Sequence, residues 1–360
     1  MNNNERFEKV LNKMHDMHLD YMIISSPSSI RYLLDIVNYP GERMYALLID
    51  AKNGKHALFL NKLFYIPQEV GIEKVWFSDT DNSIQMLADH IDDHSVIGID
   101  RFWSAHFLIS LQEIKTTCTY KNGSRCVDEV RQIKSADEIE IMKKASLIND
   151  QAIEKLISTI QPDDTELTLS DRLLKIYQNL GASGHSFEPI VAFGKNGADP
   201  HHGNDDTKIQ AGDSIIIDMG CLYKGYCSDM TRTYFYKEVS EKQKQVYEIV
   251  RDANLKAQAM IKPGVRLCDI DATARDYIAS FGYGEYFTHR LGHFIGQDVH
   301  EFGDVSSNFT DEVKEGMIFS IEPGVYLPGE FGVRVEDLVV VTKDGCMSLN
   351  HYTKDLQVVE

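Results

Sequence analysis

The chain has 360 residues, 43% of them hydrophobic and 26% charged, with a formal net charge of −18. The composition is ordinary for a globular protein, and the length suits two domains. The acidic balance argues against nucleic acid or an anionic membrane as a partner, since both bind through a basic face.

The opening Met1-Asn-Asn-Asn-Glu-Arg6 is polar and lacks the apolar core of a signal peptide. No apolar run approaches the ~20 residues that span a bilayer. Six cysteines are few for this length and form no CxxC pair, so reduced thiols in a cytoplasmic protein are expected. Phe7, Val10, Leu11, Met14 and Met17 share one face and predict a helix over 5–18. Tyr21–Ser25 reads as a strand. Tyr45–Asp50 and His56–Leu60 read as strands around Lys52-Asn53-Gly54-Lys55, where Asn-Gly signals a hairpin. A helix around Ser83–Ile91, a strand at Ser95–Asp100 and a helix over Ser104–Ile114 complete an α/β domain, taken as residues 1–126.

The boundary falls near Cys126–Ile133, and a second domain occupies 127–360. Ser135-Ala-Asp-Glu138 is a capping box, with serine and glutamate each able to satisfy a free backbone N–H. It opens a long helix carrying Ile139, Ile141, Met142, Ala145 and Ile148. A helix over Leu167–Leu180 follows, then the Gly-rich stretch Gly181-Ala-Ser-Gly-His185. Beyond it, strands alternate with turns, apart from helices near 240–260 and 268–281.

This second domain carries five residues in short apolar contexts: Asp218, Asp229, His293, Glu322 and Glu336. Asp218 ends the strand Ser214–Ile217, and Asp229 is placed on the returning strand, so that a hairpin brings the two carboxylates together. Glu322 and Glu336 repeat the arrangement around a Pro-Gly-rich turn. Arg334 and Glu336, two residues apart on a strand, share one face, and Val333 and Val335 take the other. A lone Asp or Glu on a strand is usually solvated or ion-paired, so the signal lies in all five together. His289 and His293 look like an HxxxH pair, but Arg290 stands where a zinc protease needs glutamate, and Gly292 opposes a helix. Four ionised carboxylates meeting at one place carry −4 and repel. Two divalent ions neutralise them, and a carboxylate-rich set with one imidazole suits manganese, iron or cobalt.

The five residues match the ligand pattern of the pita-bread metallopeptidases, which include methionine aminopeptidase, aminopeptidase P and prolidase. Asp199-Pro200-His201-His202, His289-Arg-Leu-Gly-His293, Asp298-Val-His300-Glu301 and Gly332-Val-Arg334-Val-Glu336 resemble the proline-peptidase branch, and most of all the bacterial Xaa-Pro dipeptidases. The resemblance is nearly whole-chain, because that family also carries an N-terminal α/β domain, which methionine aminopeptidases lack. It implies an α+β fold: a creatinase-like α/β domain followed by a pita-bread catalytic domain with pseudo-two-fold symmetry.

The resemblance further implies that Asp218 chelates one metal, that Asp229 and Glu336 bridge both, and that His293 and Glu322 bind the other. Two divalent ions are expected, manganese first, with cobalt, iron or zinc as alternatives. A bridging hydroxide would attack the carbonyl before the prolyl nitrogen, and Glu322 would shuttle its proton to the leaving nitrogen. His201 and His300 would steady the substrate and the oxyanion. Arg334 would orient Glu336 and help read a substrate carboxylate, and His289 would support the ligands; His202 is read as structural. One departure is Phe294, where the family usually has glycine after the metal histidine. Its ring either narrows the pocket or points into the core.

The expected function is hydrolysis of Xaa-Pro dipeptides by a cytoplasmic homodimer, with no nucleic-acid or membrane partner. Aminopeptidase P, cutting the same bond in longer peptides, is the nearest alternative. A peptide-binding scaffold without catalysis is the alternative of another class, disfavoured because such relatives lose ligands. Metal-free, creatinase-like chemistry is disfavoured on the same ground.

Overall fold

A computed structural model describes residues 3–67 and 69–360, and the chain divides into two units, residues 1–131 and 132–360. The first unit is built on a six-stranded mixed sheet. In spatial order its strands are Glu73–Phe77, Ala57–Asn61, Ala46–Asp50, Tyr21–Ile24, Val96–Ile99 and Thr119–Asn122. The hairpin expected around Asn53-Gly54 is present, with Ala46 opposite Phe59, and Gly54 takes the positive φ of 71° that the turn requires. The helix Asn3–Asp16 buries Val10 and Met14, two of the five residues that marked its face. Two helices carried no clear periodic signal: Pro27–Leu34, capped by Ser26, and Arg125–Gln132.

The second unit repeats one order of elements. Helices Ala136–Ile157 and Glu166–Asn179 precede the strands Ile190–Phe193, Ser214–Met219 and Met230–Tyr236. Helices Glu241–Met260 and Leu267–Ser280 then precede Ile318–Ile321, Gly324–Leu327, Phe331–Arg334 and Asp337–Val341. This repetition is the pseudo-two-fold pattern. Each half has its own apolar core: one includes Leu156, Leu173, Ile215, Ile217 and Tyr234, the other Val246, Ile270, Phe319, Val333 and Val335.

The Ser135 capping box forms as the sequence predicts: Ser135 Oγ accepts from Glu138 N and Glu138 Oε2 accepts from Ser135 N at 2.9 Å. Such a cap stabilises a helix by about 1 kcal/mol. It anchors a helix whose apolar face, with Met142, Ala145, Ala152, Ile153 and Leu156, is fully buried. Thr165 and Ser240 begin two further helices in the same way. Among the described residues, no helix is long and apolar enough to cross a membrane.

Candidate metal centre

Asp218 lies on the strand Ser214–Met219, directly opposite Thr231 on Met230–Tyr236. Asp229 stands one residue ahead of that second strand rather than on it, because a small excursion, Cys221–Tyr223 and Tyr226–Cys227, interrupts the hairpin. It is still two residues from Thr231, so it shares a face with Asp218 as its diagonal neighbour.

The second pair sits at a break in two aligned ladders. Ile321 pairs with Asp337, and Gly324 pairs with Arg334. The same register on both sides of the gap sets Glu322 opposite Glu336. The side chains alternate as the strand period requires: Arg334 and Glu336 reach the site, and Val333 and Val335 are fully buried in the core.

His293 enters on the two-residue strand Gly292–His293. A Cβ at Gly292 would lie 1.9 Å from the Ser320 carbonyl oxygen, so this crossing demands glycine. The His293 N–H then donates to Ser320 Oγ at 3.0 Å, and that hydroxyl donates to Glu322 Oε1 at 3.1 Å. Phe294 is fully buried, with its ring 5.4 Å from Phe319. It belongs to the core and not to the cavity wall, which settles the two outcomes open from the sequence.

The donor set fits cations. Asp218 Oδ1, Asp229 Oδ1 and Glu336 Oε1 are buried without a hydrogen-bond partner, a costly state for a carboxylate unless something positive joins it. Ligand atoms of Asp229, His293 and Glu336 all lie within 4.8 Å of one another. His293 Nδ1 faces the Phe294 carbonyl at 3.2 Å, which assigns its proton to Nδ1 and frees Nε2. Nε2 stands 3.5 Å from Asp229 Oδ2 and 3.6 Å from Glu322 Oε1, too far to bond directly and suited to ligands sharing an ion. Burial, and then the charge of Asp218, pushes the Asp229 carboxyl well above its ordinary range. Burial followed by Asp229 does the same to Glu336, and burial lifts Glu322 to about 7. Carboxylates crowded this way keep their charge only beside cations.

The five residues line a cavity of about 320 Å³, together with His201, His289, His300, Arg290 and Arg334. His300 stacks edge-on against His293 with centroids 4.2 Å apart, and burial lowers it to about 4, so the ring is neutral near pH 7. His201 is exposed at the cavity wall. His289 Nδ1 faces the Arg290 carbonyl at 2.7 Å, and its Nε2 meets the Tyr326 hydroxyl at 2.9 Å. Burial, then Arg334, lowers this imidazole to about 3, so Nε2 accepts from Tyr326.

Arg334 donates through Nη2 to Asp218 Oδ2 at 2.7 Å, through Nη1 to the Tyr326 hydroxyl at 2.9 Å and through Nε to Thr231 Oγ1 at 3.1 Å. Its direct carboxylate partner is therefore Asp218. It reaches Glu336 only through Thr231, whose hydroxyl donates to Glu336 Oε2 at 2.7 Å. Thr231, Ser320 and Tyr326 carried no sequence signal, since each is also an ordinary strand residue. The one available clue was their spacing from the acidic residues.

Comparison with known proteins bears on the whole chain. Residues 6–133 match the creatinase/prolidase N-terminal domain, and residues 140–343 match metallopeptidase family M24. An uncharacterized peptidase of Staphylococcus aureus (strain MRSA252) is 35% identical over 358 residues, covering 97% of this chain and 99% of that protein. The crystal structure of a prolidase from Thermococcus sibiricus superposes with a TM-score of 0.93 at 33% identity, covering 99% of both chains. An Xaa-Pro dipeptidase from Bacillus anthracis gives 0.89 at 32% identity, over 99% of this chain and 100% of that one. The α+β architecture expected from the sequence is thus the fold. With an N-terminal domain of the creatinase/prolidase type ahead of its catalytic domain, the chain belongs to metallopeptidase family M24.

Proposed function

We propose that the chain is a dinuclear metal-dependent Xaa-Pro dipeptidase that releases proline. The observation that carries the reading is the convergence of four carboxylates and one neutral imidazole on a cavity of about 320 Å³, at the small end for ligand sites and suited to a two-residue peptide. Asp218, Asp229, His293, Glu322 and Glu336 would hold two divalent ions, with manganese favoured by the oxygen-rich set. When bound, such ions polarise the peptide carbonyl before proline and acidify the attacking water.

The protein's own groups do the rest. Glu322 has a side chain 16% exposed, against 5% for Asp229, so it is the better placed to take a proton from water and return it to the leaving prolyl nitrogen. Ser320 steadies the oxygen of Glu322 that faces His293. Neutral His300 offers an N–H to the carbonyl oxygen as it gains charge, and His201, which also lines the cavity, contacts the substrate. Arg334 donates to Asp218, Tyr326 and Thr231 and so holds the ligands in place, and the two N–H groups beyond these three serve to read a substrate carboxylate at the cavity wall. His289, through Tyr326, fixes the far end of that arginine. The same reading takes the cytoplasm as the compartment and a homodimer as the working form.

The test is chelator-stripped protein assayed with and without Mn²⁺, on an Xaa-Pro dipeptide and an Xaa-Pro-Xaa tripeptide side by side. Metal-dependent cleavage of the dipeptide alone is the expected result. Strong tripeptide cleavage moves the assignment to aminopeptidase P, and cleavage of neither removes the proline specificity.

A further inference from the structure

Glu166, His202 and Asp205 also place three ligand-type atoms within 4.8 Å of one another. This cluster lies outside the centre described above, and every oxygen of Glu166 is already in use. Oε1 accepts from Phe193 N and from Asn196 Nδ2, both at 2.9 Å. Oε2 accepts from His202 Nε2 at 2.7 Å and from Asp205 N at 3.1 Å. The arrangement is a hydrogen-bonded hub and not a metal site.

All four partners lie on one segment, residues 193–207, which starts at the last residue of the strand Ile190–Phe193 and continues as a loop carrying Pro200 and His201 on the cavity wall. Glu166 is the first residue of the helix Glu166–Asn179 and is fully buried, so its carboxylate is rigidly mounted. The helix start adds backbone links: Glu166 N donates to the Thr207 carbonyl and Leu167 N to the Asp205 carbonyl, both at 3.3 Å. His201 and His202 thus diverge, one ring at the cavity and the next bound to Glu166.

We infer that Glu166 is a positioning residue, which sets the place of His201 by holding its neighbour His202 and both ends of this segment. The inference rests on the reading of His201 as a substrate contact. A donor aimed at a reacting group acts only when held within about 0.5 Å, which requires a supporting shell of this kind. Gln at position 166 keeps the size but presents an amide N–H₂ to donors at one end, so it breaks half of the hub.

The experiment compares Glu166→Gln, His201→Ala and the double variant for kcat/KM on Xaa-Pro dipeptides, with metal content and amide hydrogen exchange over 193–207 measured alongside. Glu166→Gln is expected to lower kcat/KM by about 10-fold or more with metal content unchanged. In the His201→Ala background the same change is expected to matter less than about 2-fold. Equal losses in both backgrounds overturn the inference. If the wild-type protein releases no proline, the functional reading fails by itself, and hydrogen exchange still decides the loop. Faster exchange confined to 193–207 supports the anchor, and unchanged exchange overturns it. His202→Ala, which cuts the same link from the loop side, serves if Glu166→Gln does not fold.

Discussion

Replacing Thr231 by valine tests the wiring of the centre without touching a ligand. Thr231 is fully buried on the strand facing Asp218. Its hydroxyl donates to Glu336 Oε2 at 2.7 Å and accepts from Arg334 Nε at 3.1 Å. Valine has the same shape and suits a strand, so no cavity opens and the loss is purely polar. Two hydrogen bonds disappear: the one from the Arg334 guanidinium is worth about 1.5–3 kcal/mol, and the one to Glu336, whose carboxyl is pushed up when no metal is bound, about 0.5–1.5 kcal/mol. Middle values of those ranges give about 3 kcal/mol in all. A domain of this size loses roughly 2–4 °C per kcal/mol, so the chelated variant should melt about 6–12 °C below the parent protein. Glu336 also loses the bond that orients it, and metal affinity should fall by about 10- to 100-fold. Thermal melting in chelator and a competitive metal titration read the two effects separately, and Thr231→Ser is the control that restores the hydroxyl. A valine variant that melts with the parent protein and binds metal equally well would refute the reasoning.

Four other expectations follow from the same structure. Asp229→Asn should abolish activity and lower metal content measured by elemental analysis, and a fully active variant would remove Asp229 from the centre. His300→Ala should lower kcat by about 10²-fold or more while metal content stays intact; metal loss would instead put His300 among the ligands. Phe294→Ala should cost about 3–5 kcal/mol in denaturant unfolding while leaving the preference for the residue before proline unchanged, because the ring packs on Phe319 and not on substrate. Asp164 gives the pH expectation: burial alone would raise its carboxyl, but hydrogen bonds from Arg172 and the Gln161 N–H outweigh that and hold it below the ordinary range. A depressed folded pKa stabilises above the unfolded value near ~3.9 and loses that stabilisation as pH falls through the folded pKa. The stability gap between the parent protein and Asp164→Asn, followed by urea unfolding, should therefore be full at pH 6 and shrink toward pH 3; a gap independent of pH would contradict it.

Much of the fold was legible because local chemistry and tertiary need agreed. Ser135 and Glu138 announce a helix start within four residues of sequence, and Asn53-Gly54 announces a hairpin in two. The helix Pro27–Leu34 was not legible, since Ser-Pro-Ser-Ser reads as a turn until Ser26 is seen capping it. Asp229 fell one residue short of its expected strand because the excursion at Cys221–Cys227 breaks a hairpin that sequence spacing treats as continuous. The acidic residues of the centre stood out because a carboxylate in an apolar run is anomalous. Thr231 and Tyr326 did not, because hydroxyl and aromatic side chains are what strands ordinarily contain. Glu166 was hidden for another reason: its partners at 193, 196, 202 and 205 meet it only after the chain has folded.

The central claim is that two cations in one carboxylate cage support cleavage before proline. The most direct measurement is proline release from an Xaa-Pro dipeptide as Mn²⁺ is titrated into chelator-stripped protein of known concentration. Activity that is absent without metal and saturates at about two equivalents per chain is the predicted result. Undiminished proline release from the stripped protein would contradict the account.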